Sequence, residues 1–180
     1  MVLINGKLRG KIVDNKLPER KKIRLKEFDY SSNGAYFITV CAKNKKTLFG
    51  PVGADSISAR MIERTFIETI ERYENVESPI YVVMPNHFHA IIEISRADME
   101  SAPTVSEVVQ TFKRYSTIEY IKMVKDGIVP PFDGQLWQRS FYDHIIRNRH
   151  DYNEVCKYIY ENPMKWKFDK LCREGLVELD

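Results

Sequence analysis

Three cysteines in 180 residues, Cys41, Cys156 and Cys172, are too few and too scattered for a disulfide framework or a thiolate zinc site, so packing is their expected role. No apolar stretch approaches the roughly 20 residues that span a bilayer, and nothing transmembrane is expected. The opening MVLINGKLRGKIVDNK interleaves charge with apolar residues and lacks the continuous apolar segment and small-residue cleavage site of a secretory signal. The expectation is therefore a cytoplasmic protein. Also missing are internal repeats, low-complexity tracts and any glycine-rich loop that would cradle a nucleotide phosphate. Net charge is only +3, too small by itself to imply a nucleic-acid partner.

What is present is enough apolar residue, 43%, for one sizeable core in one domain. The positive charge is clustered. Six Lys or Arg fall between Lys16 and Lys26, opposed only by Glu19; Lys43, Lys45 and Lys46 share a turn-like segment; Lys113 and Arg114 are adjacent on a predicted helix. Residues 1 to 27 are polar, basic and without period, which suits an arm. AYFITVCA, from Ala35 to Ala42, is aromatic and β-branched and predicts a strand. Ser56 or Ser58 is placed to cap a helix running to about Tyr73, with one apolar face through Met61, Ile62, Phe66 and Ile70. PIYVVMPNHFHAIIEIS reads as two strands reversing tightly at Pro85 and Asn86. A helix from Val105 to about Val124 follows, then a strand from Trp137 to Arg147, then a helix from His150 to Asn162 stopped by Pro163. Mixed elements with tight reversals point to an α+β single domain, a largely antiparallel sheet backed by helices.

His87 and His89 open the second of the paired strands. Residues two apart share a strand face, so their imidazoles stand side by side while Phe88 points into the core. Neutral imidazole is a common metal ligand, and two of them leave coordination positions open. The same spacing also occurs in zinc hydrolases and on plain surface strands. Tyr158 and Asn162 lie four apart on the last helix and face one way. A phenol can attack phosphorus and an amide oxygen can complete a metal site, but with a pKa near about 10 the phenol needs a cation to assist it. Tyr160 lies about 200° around the axis from Tyr158, so the two do not face one site. His144 and His150 read as structural or surface residues.

The segments KKIRLKEFDYSSNGAYFITV, VMPNHFHAII, LWQRSFYDHIIRN and YIYENPMKW, in that order, resemble the HUH single-strand endonucleases and most closely the REP-associated tyrosine transposases within the single-tyrosine transposase group. The likeness runs from about Arg20 to Asp169, which leaves residues 1–19 as an N-terminal extension and 20–180 as one HUH transposase-like catalytic domain with a ferredoxin-like fold. It implies His87, His89 and Asn162 as ligands of Mg²⁺ or Mn²⁺ and Tyr158 as the nucleophile that becomes linked to a 5′ phosphate. Many insertion-sequence members carry glutamine as the third ligand, whereas Asn162 followed by Pro163 looks like the REP-associated branch. The implied partner is single-stranded DNA bearing a hairpin, bound by a monomer or homodimer in the cytoplasm at the nucleoid. Arg20, Lys21, Lys22, Arg24, Lys113 and Arg114 are the candidate DNA contacts. The rival expectations are a metal-dependent hydrolase in which Glu93 activates water, and a non-catalytic hairpin-binding protein derived from a transposase.

Overall fold

The β-branched and aromatic run predicted as a strand forms β1, Gly34–Cys41, in a computed structural model of the chain that describes residues 33–52, 56–95 and 102–168. β1 pairs along its length with β4, His87–Ile94, and on its other side with β5, Tyr142–Ile146. The far edge of β4 is taken by two short strands: β3, Tyr81–Met84, at its histidine end, and β2, Val76–Glu77, at its other end. Between them the edge stays hydrogen-bonded, with Ser78 Oγ donating to the Ile91 carbonyl at 2.7 Å. Every pairing is antiparallel. The reversal at Pro85 and Asn86 joins β3 to β4 as the sequence predicts.

Period-2 alternation divides the sheet into two faces. Tyr36, Ile38 and Val40 of β1 and Phe88, Ala90, Ile92 and Ile94 of β4 form one, and all are buried. Onto it pack α1, Ile57–Ile70, and α2, Val105–Lys125, whose apolar stripes supply Met61, Ile62, Phe66, Val108, Val109 and Phe112. Phe88 is at the centre, its ring 4.6 Å from that of Phe66 and 4.9 Å from that of Phe112. Burying each such ring stabilises the fold by roughly 1.5–3 kcal/mol. Both helices start where their sequences offer an oxygen to unpaired backbone N–H groups. Ser56 accepts from Ala59 N at 3.0 Å, and Thr104 with Glu107 forms a reciprocal capping box.

The second sheet face carries His87, His89, Thr39 and Phe37, and α3, Arg149–Lys165, lies across it. Asn148 caps α3 by accepting from Asp151 N at 2.9 Å. The Asp151 carboxylate accepts in turn from His144 Nε2 at 3.0 Å and from Arg147 N at 3.2 Å, fastening the start of α3 to β5. Among the described residues no helix is long and apolar enough to cross a membrane.

Two sequence-based expectations are corrected. The strand predicted from Trp137 to Arg147 is regular only over Tyr142–Ile146, apart from a single bridge between Trp137 and Ala42. The carbonyls of Gln138, Arg139 and Ser140 are instead taken by the Lys113 ammonium at 2.8, 3.4 and 3.1 Å. Pro163 does not stop α3, which continues to Lys165 and closes through a 3₁₀ turn, Trp166–Phe168. Its missing N–H removes one bond in the last turn, where the anchoring of the buried Ile159 and Asn162 outweighs the loss.

Candidate active site

The site is built where the histidine end of β4 passes beneath the C-terminal half of α3. His87 and His89 project from the same face as expected, their ring centroids 4.5 Å apart, and both are buried. Each ring is oriented from behind. Asn86 donates its amide to the Lys45 carbonyl at 3.0 Å, which turns its Oδ1 toward His87 Nδ1 at 2.8 Å. An amide oxygen only accepts, so Nδ1 carries the proton and Nε2 carries the lone pair. Burial, with the nearby Lys45 ammonium, pushes the His87 pKa down to about 3. The ring is therefore neutral at physiological pH.

His89 is placed by its cross-strand neighbour, Thr39, whose Oγ1 lies 2.9 Å from Nδ1. Its Nε2 faces the Tyr158 hydroxyl at 3.5 Å. With the phenol donating to Nε2, Nδ1–H donates to Thr39. Phe37 fixes both rings, stacked on His89 at 5.2 Å and edge-on to Tyr158 at 5.8 Å. One helical turn beyond Tyr158, the Asn162 Oδ1 is buried and accepts no hydrogen bond among the described residues. A buried amide oxygen left that way costs about 1–3 kcal/mol, so it marks a position where a cation or donor belongs.

The neutral His87 imidazole, the His89 ring beside it and one unmet amide oxygen are a donor set that fits a divalent ion with positions to spare. Manganese suits imidazole better than magnesium does. No cluster of three or more His, Cys, Asp or Glu exists among the described residues. Glu93, the acid of the hydrolase alternative, sits four positions along β4 from His89, about 13 Å away at about 3.3 Å per residue. There it hydrogen-bonds with Tyr152 and helps raise that phenol to about 12, after the larger effect of burial.

Tyr158, His89 and Asn162 line an open cleft of about 590 Å³ with Phe37, Thr39, Cys41, Tyr142, Glu161, Lys165 and Phe168. Tyr158 is 45% exposed and so reachable from solvent. Glu161 and Lys165 pair on the α3 face that borders it, and that pairing holds the Glu161 carboxyl below its ordinary value. Of the candidate DNA contacts, Arg20, Lys21, Lys22 and Arg24 lie outside the described residues. Lys113 and Arg114 are on α2, the layer across the sheet from the histidines, and the Lys113 ammonium is committed to three loop carbonyls. The structure thus does not bring these two to the site. It brings instead the basic turn Lys43–Lys45, whose carbonyl at Lys45 anchors Asn86.

A model of the family described as "Transposase IS200 like" matches residues 30–162, a span that takes in both histidines, Tyr158 and Asn162. The chain belongs to this family of IS200-like transposases. Its known relatives include a REP-associated tyrosine transposase of Escherichia coli (strain K12), 25% identical over 163 residues that cover 84% of this chain and 86% of that one. An uncharacterized protein of Haemophilus influenzae is 31% identical over 168 residues, 84% of this chain and 92% of the other. The solved structure of a REP-associated tyrosine transposase bound to a REP hairpin matches with a TM-score of 0.55 and 25% identity, over 76% of this chain and 70% of that one. Membership in the family gives the chain a transposase role, with DNA as what it acts on.

Two supporting residues of the site, Thr39 and Asn86, were not singled out from sequence. Asn86 carries a weak signal, being the turn residue directly before His87. Thr39 carries none, since its contact with His89 spans 50 positions and exists only through the β1–β4 register.

Proposed function

We propose that this transposase-family protein cuts and rejoins single-stranded DNA next to a hairpin, with Tyr158 as nucleophile and His87, His89 and Asn162 as the holders of Mg²⁺ or Mn²⁺. The observation that carries the reading is the approach of the Tyr158 hydroxyl to His89 Nε2, 3.5 Å, one helical turn from the unmet oxygen of Asn162. Hairpin DNA as the partner is supported by the REP hairpin bound to the structural relative.

Tyr158 Oη attacks phosphorus, forming a bond to the 5′ phosphate as the bond to the 3′ oxygen breaks. The phenol proton leaves through the open cleft to solvent, and the departing 3′ oxygen takes a proton from water. When bound, the ion supplies positive charge to a non-bridging phosphate oxygen. Phe37 holds the Tyr158 ring edge-on so that its oxygen stays beside His89 Nε2, which lowers the ordering cost of attack. The phosphotyrosine link preserves the energy of the broken phosphodiester, so a second 3′ hydroxyl can displace Tyr158 and rejoin the strand without a nucleotide cofactor. One chain supplies all four groups, so the reading needs no second copy. The basic turn at Lys43, Lys45 and Lys46 and the arm at Arg20, Lys21, Lys22 and Arg24 are the proposed phosphate contacts. The site of action is the nucleoid.

The test is to incubate the full chain with labelled single-stranded repeat hairpins and Mn²⁺ and to look for a denaturation-resistant protein–DNA adduct. Tyr158→Phe should abolish adduct and cleavage together, and chelation should do the same to the unaltered chain. Cleavage persisting in Tyr158→Phe would sink the tyrosine mechanism. Tight hairpin binding with no adduct under any metal would leave the non-catalytic reading.

A further inference from the structure

Beyond His89 the cleft extends to β5, the outer strand of the sheet among the described residues, and Tyr142 lines it there. The register pairs Tyr142 with Thr39 and Thr39 with His89, so the three side chains project from one face. Tyr142 stands two strands from His89, about 10 Å at about 4.8 Å per strand. It is 53% exposed, and among the described residues its hydroxyl makes no hydrogen bond and its ring no aromatic contact. That differs from Phe37 and Tyr158, which are locked against His89. A ring carried on a strand, half-exposed and without an aromatic partner among the described residues, is a ready stacking surface.

The cleft around it favours one class of occupant. Phe37, Tyr142 and Phe168 make it mostly apolar, and its two charged groups, Glu161 and Lys165, are paired with each other. About 590 Å³ is the size of a small-molecule site rather than a seat for a folded partner. A flat, aromatic, uncharged group attached to an anion at the histidine end would satisfy both ends at once, and a nucleotide is that group.

We propose that Tyr142 is the stacking platform of a subsite that takes one unpaired nucleobase flanking the phosphate attacked by Tyr158. The inference rests on the strand-cutting reading and assigns that reaction a base-holding residue outside the metal and nucleophile set. Stacking there fixes the sugar on one side of the phosphate, so it positions the strand for attack by Tyr158. Because every base has a π-face, the subsite gives position more than sequence preference.

The experiment places the fluorescent base 2-aminopurine at successive unpaired positions of a repeat-hairpin oligonucleotide and titrates it with full-length Tyr158→Phe, which binds without cutting. One position should be strongly quenched, with the quench retained in Tyr142→Phe and lost in Tyr142→Ala, both in the Tyr158→Phe background. In the chain that retains Tyr158, Tyr142→Ala should slow adduct formation about tenfold or more, and an abasic nucleotide at the quenched position should slow it equally with no further loss when the two are combined. A merely structural role would make the two losses multiply. Tyr142→Ala that forms adduct at the original rate, or bound DNA quenched nowhere by Tyr142, would overturn the subsite while leaving the Tyr158 reaction intact. Absence of any adduct would overturn the reaction, and the fluorescence titration would still report the subsite. A chain that binds no single-stranded DNA would end both.

Discussion

His87 illustrates how much of the site is decided one atom behind the residues that meet substrate. Its imidazole is neutral because it is buried, and its proton sits on Nδ1 because Asn86 offers an oxygen there while donating its own amide to the Lys45 carbonyl. Groups that orient a metal-binding imidazole typically change affinity about 10–100-fold when removed. Asn86→Ala should therefore weaken Mn²⁺ binding by about that factor, measured calorimetrically on the full chain; unchanged affinity would show that the hydrogen bond does not select the tautomer. The shared face of the two histidines is legible from their spacing, and that of Tyr158 and Asn162 from theirs, because both patterns are local, whereas their proposed roles come from the family resemblance. Thr39 is not legible in this way: it meets His89 only after two distant strands align.

The decisive element is α3, which carries Tyr158, the proposed nucleophile, and Asn162, the proposed third ligand, together. Its N-terminus is held by three local devices: the Asn148 cap, the Asp151 carboxylate on His144, and the same carboxylate on the Arg147 amide. The His144 contact, with the Arg147 amide bond, holds the Asp151 carboxyl below its ordinary value. Removing an asparagine cap costs about 1 kcal/mol, about fivefold in a local opening equilibrium. Asn148→Ala should accordingly speed amide hydrogen exchange in the first two turns of α3 by about that factor, with α1 and α2 unaffected; equal acceleration in all three helices would mean that α3 does not open on its own. The extent of α3 was less legible than its existence. Proline reads as a stop, yet burial of Ile159 and Asn162 carries the helix through Pro163 and so brings Lys165 and Phe168 to the cleft. The end of the Trp137 strand was illegible for a related reason, since a lysine from α2 takes the carbonyls that a strand partner would have used.

At the scale of the molecule, the sheet separates two environments. One face is a dry aromatic core under α1 and α2; the other buries two histidines under α3 and keeps a cleft open beside them. The arrangement leaves a pH signature. The unfolded chain takes up a proton on His87 below about pH 6.5, and the folded chain refuses it until about pH 3. Within that window the unfolded state binds more protons, so stability falls as pH falls, by up to about 1.4 kcal/mol per unit, and the full contribution is present above about 6.5. Asp151 and Glu161, both depressed, act with the same sign at the acid end. Denaturant midpoints compared between pH 7 and pH 5 should drop in the unaltered chain and drop less in His87→Asn. An identical slope in the two would mean that His87 protonates freely in the folded state.

The sequence by itself determined the elements whose signals are local: the alternation that faces His87 and His89 one way and Phe88 the other, the helical spacing that aligns Tyr158 with Asn162, and the turn that folds β3 back on β4. Only the tertiary structure decided which oxygen orients each imidazole, that Lys113 serves a loop rather than the site, and that Tyr142 stands exposed in the cleft that Tyr158 lines. Those depend on strand register and layer packing, which join residues tens of positions apart and leave no periodic trace along the chain.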